Sequence, residues 1–146
     1  MRILFYGDRN WSNQYLIGEI MLYCMSQHES FTLIHGGARG ADQMSGNIAH
    51  AFCMPVEVFP AHWQHTETCP IGCNRVQGKR AGPERNKQML NSTIDLAYGF
   101  HDDIVSSKGT KHMKSLLDKA GVTNYLISNH TLPFHIQSFI YSNNYH

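Results

Sequence analysis

The chain carries no excess of charge of either sign. Twelve Lys and Arg stand against eleven Asp and Glu in 146 residues, a formal charge of +1 at pH 7. A protein that holds duplex nucleic acid chiefly by charge needs a basic field, so any anion site here must be local. Cysteines are few. Cys24, Cys53, Cys69 and Cys73 do not make a dense disulfide framework. Long apolar runs are missing too: the longest wholly apolar one, Ile20 to Met25, falls far short of the roughly 20 residues that cross a bilayer. The start, Met1 to Arg9, is too poor in apolar residues to read as a signal peptide. These absences predict a soluble, cytoplasmic protein in a reducing setting with no membrane partner. With 42% hydrophobic and 16% charged residues, the composition suits one compact domain. Ten histidines add positive charge in mild acid, which by itself shows no function.

What is present alternates between two periods. Ile3 to Tyr6 is a short apolar run stopping at Gly7, as a buried strand entering a tight turn does. Ser12 can cap a following helix whose stripe is Ile17, Ile20, Met21 and Cys24. Phe31 to His35 reads as a second strand ending in Gly36-Gly37, before Ala41, Met44, Ile48 and Phe52 return to helical spacing. Pro55–Phe59, Ile94–Phe100 and Val122–Ile127 read as three more buried strands. Between them, Gly82-Pro83 opens a helix with Met89 and Leu90, and Met113, Leu116, Leu117 and Ala120 form another stripe closed by Gly121. The alternation predicts an α/β fold, a Rossmann-like three-layer sandwich with a mostly parallel central sheet of about five strands. Residues 1–128 would form this domain, and 129–146 a tail packed on it or at an oligomer interface. The stretch from about His62 to Ala81 also falls outside the pattern.

In such a sheet the strand-to-helix turns share the carboxyl edge, so those starting at Gly7, Gly36 and His101 should converge on one crevice. Gly36-Gly37-Ala38-Arg39-Gly40-Ala41-Asp42 offers small residues whose N–H groups can approach an anion, a charged fork in Arg39, and a carboxylate in Asp42 that either caps the backbone or accepts from ligand hydroxyls. It is neither a Walker loop nor the Gly-x-Gly-x-x-Gly dinucleotide fingerprint, and a tight turn with close helix packing would use the same glycines. Arg75, Lys79, Arg80, Arg85 and Lys87 form a local basic run; Arg85 and Asn86 lie just after Gly82-Pro83, and Gly109-Thr110 opens the helix of Met113. Arg9 and Trp11 follow Gly7, where the indole is either a stacking surface for a base or part of the core. Trp63 has the same ambiguity.

Five ordered motifs, Gly7-Asp8-Arg9-Asn10-Trp11, the Gly36 to Asp42 loop, Phe59-Pro60-Ala61-His62-Trp63, Ala81 to Asn86 with Met89, and Gly109-Thr110 with Met113, resemble the YspA/cpYpsA-related branch of the SLOG superfamily over about residues 2–128. The resemblance implies a Rossmann-like fold related to the LOG phosphoribohydrolases and to DprA, a nucleotide-derived small-molecule ligand, and a homo-oligomer. It puts the phosphate cradle on Gly36, Gly37, Ala38, Arg39 and Gly40, the arginine-asparagine helix start on Arg85 and Asn86, and the last loop on Gly109 and Thr110. Asp8 and Asn10 depart from its common pattern of Ser and Asp. The Pro-Gly-Gly-x-Gly-Thr-x-x-Glu signature of the LOG hydrolases is absent, so their N-glycosidic hydrolysis does not carry over.

His62, His65, Cys69 and Cys73 offer four N/S donors, but the spacing is looser than the paired turns of structural zinc sites. We expect no stoichiometric metal there, and no cofactor. The leading expectation is a binding protein, a sensor or sponge that sequesters a phosphate-bearing nucleotide or ADP-ribose-derived messenger through Gly7, Arg9, Trp11, Gly36 to Gly40, Asp42, Gly82, Arg85, Asn86, Gly109 and Thr110. No nucleophile paired with a base is evident. The alternative is a hydrolase of an N-glycosidic or phosphate bond in which Asp42 or Asp8 positions water or takes a proton. Single-stranded nucleic-acid binding ranks third, because the balanced charge argues against a long footprint.

Overall fold

Alternate side chains of one strand must face opposite ways, and the apolar runs use both directions. In a computed structural model, which describes residues 1–61 and 80–144, β1 (Arg2–Gly7) sends Ile3 and Phe5 into one core and Leu4 and Tyr6 into another. β2 (Thr32–His35) divides Leu33 and Ile34 in the same way. With β3 (Val56–Val58), β4 (Leu96–Phe100) and β5 (Asn124–Ile127) they make a parallel sheet in the order β3-β2-β1-β4-β5. The fold is the expected Rossmann-like α/β sandwich. Its strand order reverses between β1 and β4, and at that switch point the loops after the two strands part to opposite sides.

α1 (Gln14–Gln27) lays Ile17, Ile20, Met21 and Cys24, all fully buried, against the first core. Each such side chain contributes about 1.5–3 kcal/mol relative to exposure. α2 (Ala41–Ala51) covers the same face, but with a rotated stripe: Ala41, Asp42, Ser45 and Ala49 are buried, whereas Met44 and Ile48 are half-buried and Phe52 is exposed. The other face is closed by α3 (Ala81–Asn91) through Met89 and by α4 (Gly109–Lys119) through Met113 and Leu117. Gly121, at φ +72°, ends α4 with its N–H on the Asp118 carbonyl.

Two local expectations are corrected. The α1 cap is Asn13, not Ser12: the Asn13 Oδ1 accepts from the Leu16 N–H at 3.1 Å, and its Nδ2 donates to the Asn129 Oδ1 at 2.7 Å. Pro83 is the third residue of α3 rather than the first, still within the turn whose N–H groups have no helical partner. Within the tail, Phe134–Asn144 form α5, and the carbonyl of Pro133 just before it accepts from the N–H groups of Ile136 and Gln137. Ile136 is fully buried in the first core, and the Phe139 ring meets Tyr23 of α1 edge-on at 5.4 Å. No described helix is long and apolar enough to cross a membrane.

Asn13→Ala should lower stability by about 1 kcal/mol in urea unfolding, and Ser12→Ala by less than half as much; equal costs would return the cap to Ser12.

Candidate functional site

Because β1 and β4 diverge at the switch point, their loops leave a crevice that α3 and α4 wall on one side. A cavity of about 820 Å³ opens there, within the range of small-molecule sites. Gly7 and Arg9 of the first loop, Ala38 and Asp42 of the second, and Gly82, Arg85, Asn86, Gly109 and Thr110 of α3 and α4 all line it. Of the residues singled out in sequence, Trp11, Gly36, Gly37, Arg39 and Gly40 are not in this lining. Trp11 is the clear correction: it is 4% exposed, packs edge-on against Phe100 at 5.6 Å, and gives its Nε1–H to the Asn13 carbonyl at 3.0 Å, so its face belongs to the core.

The glycine loop already holds an anion, and it is the chain's own. Asp42, the second residue of α2, turns back so that Oδ2 accepts from the N–H groups of Gly36 at 3.2 Å and Ala38 at 3.3 Å. The Gly37 N–H donates to the His35 Nδ1 at 2.9 Å. Three of the amides that would cradle a phosphate, those of Gly36, Gly37 and Ala38, are therefore engaged inside the loop. Arg85 reaches in from α3: its Nη1 donates to the Gly36 carbonyl at 2.5 Å and its Nε to the Asn86 Oδ1 at 3.0 Å. A Cβ at position 36 would collide with that guanidinium and lie 2.9 Å from the Asp42 Oδ2, so a side chain there would push Arg85 out of its contact. At Gly40, φ +81° and the backbone of Asp8 and Arg9 close by require glycine.

Burial pushes the Asp42 carboxyl up to about 6, against the pull of the Arg85 charge and of the Ala38, Gly36 and Gly7 amides. Its Oδ1 is buried without a hydrogen-bond partner among the described residues. Burial, then the Arg85 charge, holds His35 down to about 4, so it is a neutral acceptor at Nδ1. Arg85 is itself pressed below its usual value by burial, with Asp42 opposing. Asn86 is buried and braces α3 to α4, its Nδ2 lying 3.5 Å from the Gly109 carbonyl and 3.1 Å from the His112 Nδ1.

The lining also contains residues to which the motifs gave no role. Tyr6, Met89 and Met113 lie in the wall, and Ser107, Lys108 and His112 surround the start of α4. The Ser107 Oγ accepts from the Thr110 N–H at 3.1 Å. His101 stands with its Nε2 3.9 Å from the Asp8 Oδ2, while its Nδ1 accepts from the Asp103 N–H at 2.9 Å. The polar stretch between β4 and α4 was the available signal for this group. His62, His65, Cys69, Cys73, Trp63, Arg75 and Lys79 lie outside the described residues. Among those described, no group of His, Cys, Asp and Glu has the geometry to hold a metal ion.

Residues 1–65 match the family model of the YspA, cpYpsA-related SLOG family. That stretch holds β1, β2, β3 and the glycine loop; the motifs of α3 and α4 lie beyond it. The chain is 28% identical over 129 residues to the Gene 61 protein of Mycobacterium phage D29, covering 83% of this chain and 91% of that protein. Among solved structures it is similar to MurG of Acinetobacter baumannii, with a TM-score of 0.53 and 7% identity over 96% of this chain. It spans 38% of that structure's chain, and the likeness is one of fold.

The two shifted groups act on stability with opposite signs. As pH falls from 6.5 to about 4, the unfolded chain takes up a proton that folded His35 refuses, which lowers stability. From about 6 to 3.8 folded Asp42 takes up a proton before the unfolded chain does, which raises it. Wild type should therefore gain on Asp42→Asn as pH is lowered from about 7 to about 4, measured by urea midpoints; a pH-independent difference would contradict the raised carboxyl.

Proposed function

We propose that the cavity binds a phosphate-bearing nucleotide or ADP-ribose-derived small molecule and returns it chemically intact, so that the protein acts as a sensor or sponge for a nucleotide signal. The carrying observation is the crevice at the β1/β4 switch point, where Arg9, Arg85, Lys108 and the amino end of α4 share the wall with Asp8, Asp42, Asp102 and Asp103, so that an anion is favoured only at the cationic end beside α4. Cations and a helix start favour an anionic group, and the family match over residues 1–65 supports a nucleotide-related role. Because Asp42 fills the glycine loop, this reading puts the phosphate end at Lys108 and the Gly109 amide, beside the Thr110 amide that Ser107 holds. Arg85 keeps the buried carboxylate compensated. The amide at the start of α4 is fixed by the helix before the ligand arrives, which lowers the ordering cost of binding.

A second reading is hydrolysis of an N-glycosidic or phosphate bond. One observation favours it: Asp42, with a carboxyl raised to about 6, belongs to a cavity wall, as a general base often does. Its Oδ1 is buried and its Oδ2 braces the loop, an arrangement better suited to holding structure than to activating water.

Calorimetric titration with nucleoside monophosphates, ADP-ribose, NAD and cyclic nucleotides should find at least one ligand. Lys108→Ala should weaken it by roughly tenfold, the loss expected for one charge-assisted contact, and chromatography after heat release should return it unchanged. A product formed catalytically by wild type and absent with Asp42→Asn would establish the hydrolase, and no binding across the panel would remove both readings.

A further inference from the structure

Tyr6 has no role in the phosphate end described above, and its environment calls for one. It ends the buried part of β1, is 3% exposed, and lines the cavity, yet its hydroxyl has no hydrogen-bond partner among the described residues. Phenylalanine would fill the same space without stranding a polar group, and a buried unpaired hydroxyl is destabilising. The neighbouring strand makes room for the phenol end: a Cβ at Gly99 of β4 would lie 2.6 Å from the Tyr6 Cζ and 2.7 Å from its oxygen. Glycine inside a strand weakens it and marks a close approach. Here it admits the hydroxyl.

Met89 and Met113, each 1% exposed, share with Tyr6 both the second core and the cavity wall. Unbranched thioethers repack readily and make favourable contacts with flat rings. Met113 sits about one turn of α4 beyond Thr110, roughly 5 Å along the axis. A phosphate at the start of the helix and a ring beside Met113 would therefore be separated by about the span of a sugar.

We infer that Tyr6, Met89 and Met113 form the subsite for the heteroaromatic base of the ligand, with the Tyr6 hydroxyl pairing with the polar edge of the ring. This rests on the nucleotide-binding reading and assigns the part of the ligand that the phosphate contacts leave open. Burial holds the phenol well above its ordinary titration range, with the Asp118 charge adding to the effect. At neutral pH the hydroxyl therefore both donates and accepts, serving a ring nitrogen or an exocyclic amine alike.

Tyr6→Phe tests the assignment through readouts that move in opposite directions. The thermal midpoint of the empty protein should rise by about 2–4 °C as the stranded hydroxyl is removed. Affinity for whichever of AMP, GMP, CMP and UMP binds wild type best should fall about tenfold, while affinity for ribose 5-phosphate stays unchanged. A lower midpoint, an unchanged nucleotide affinity, or an equal loss for nucleotide and ribose 5-phosphate would overturn the subsite. A wild type that holds ribose 5-phosphate as tightly as every nucleotide would overturn it while leaving the phosphate reading intact; a wild type that binds none of these, nor ADP-ribose, would overturn both.

Discussion

A buried carboxylate, with a half-buried guanidinium near it, governs this site. Asp42 enters the turn after β2 and binds the Gly36 and Ala38 amides, and Arg85 crosses from α3 to the Gly36 carbonyl. The Arg85 charge offsets part of the cost of burying Asp42, and burial still holds that carboxyl above its ordinary range. The pair also joins the two sides of the sheet, because Asp42 belongs to α2 and Arg85 to α3. Asn86 extends the link to α4 through Gly109 and His112. The loops around the cavity are thus fixed relative to one another by polar contacts, where the two cores end.

This arrangement gives the glycines a purpose different from a bare phosphate cradle. Gly36 leaves room for Arg85, and Gly40 lets the loop pass against the backbone of Asp8. The Gly36 and Ala38 amides face inward to a fixed negative charge. An external phosphate entering the same loop would meet that charge, so on this account the ligand's anion belongs at α4, and the glycine loop serves as a preorganised wall.

Much of the fold was legible because it follows from period and strand direction. Ile3 to Tyr6 and Phe31 to His35 alternate between two cores, and that requires helices on both faces. The convergence of the turns at Gly7 and His101 follows from parallel strands alone. Side-chain direction was not legible. Ser12 and Asn13 are both good caps, and only the backbone path shows which oxygen meets the Leu16 amide. Trp11 could have faced either way, and Phe100 decided it. The helix of the tail was obscured because Phe134 and Tyr141 are 82% and 68% exposed, leaving Ile136 as its fully buried anchor. Whether the loop amides face a ligand or Asp42 depends on one carboxylate rotamer, which spacing does not encode.

If Asp42 holds the glycine loop, the ligand's anion should be received at the start of α4. Backbone amide NMR of the isotopically labelled protein, titrated with inorganic phosphate and then with the best-binding nucleotide, tests it most directly. Saturable shifts are expected at Gly109 and Thr110, with the Gly36 and Ala38 amides keeping their positions. Shifts concentrated at Gly36 and Ala38, with Gly109 and Thr110 unmoved, would show that the ligand displaces the Asp42 carboxylate and would contradict it.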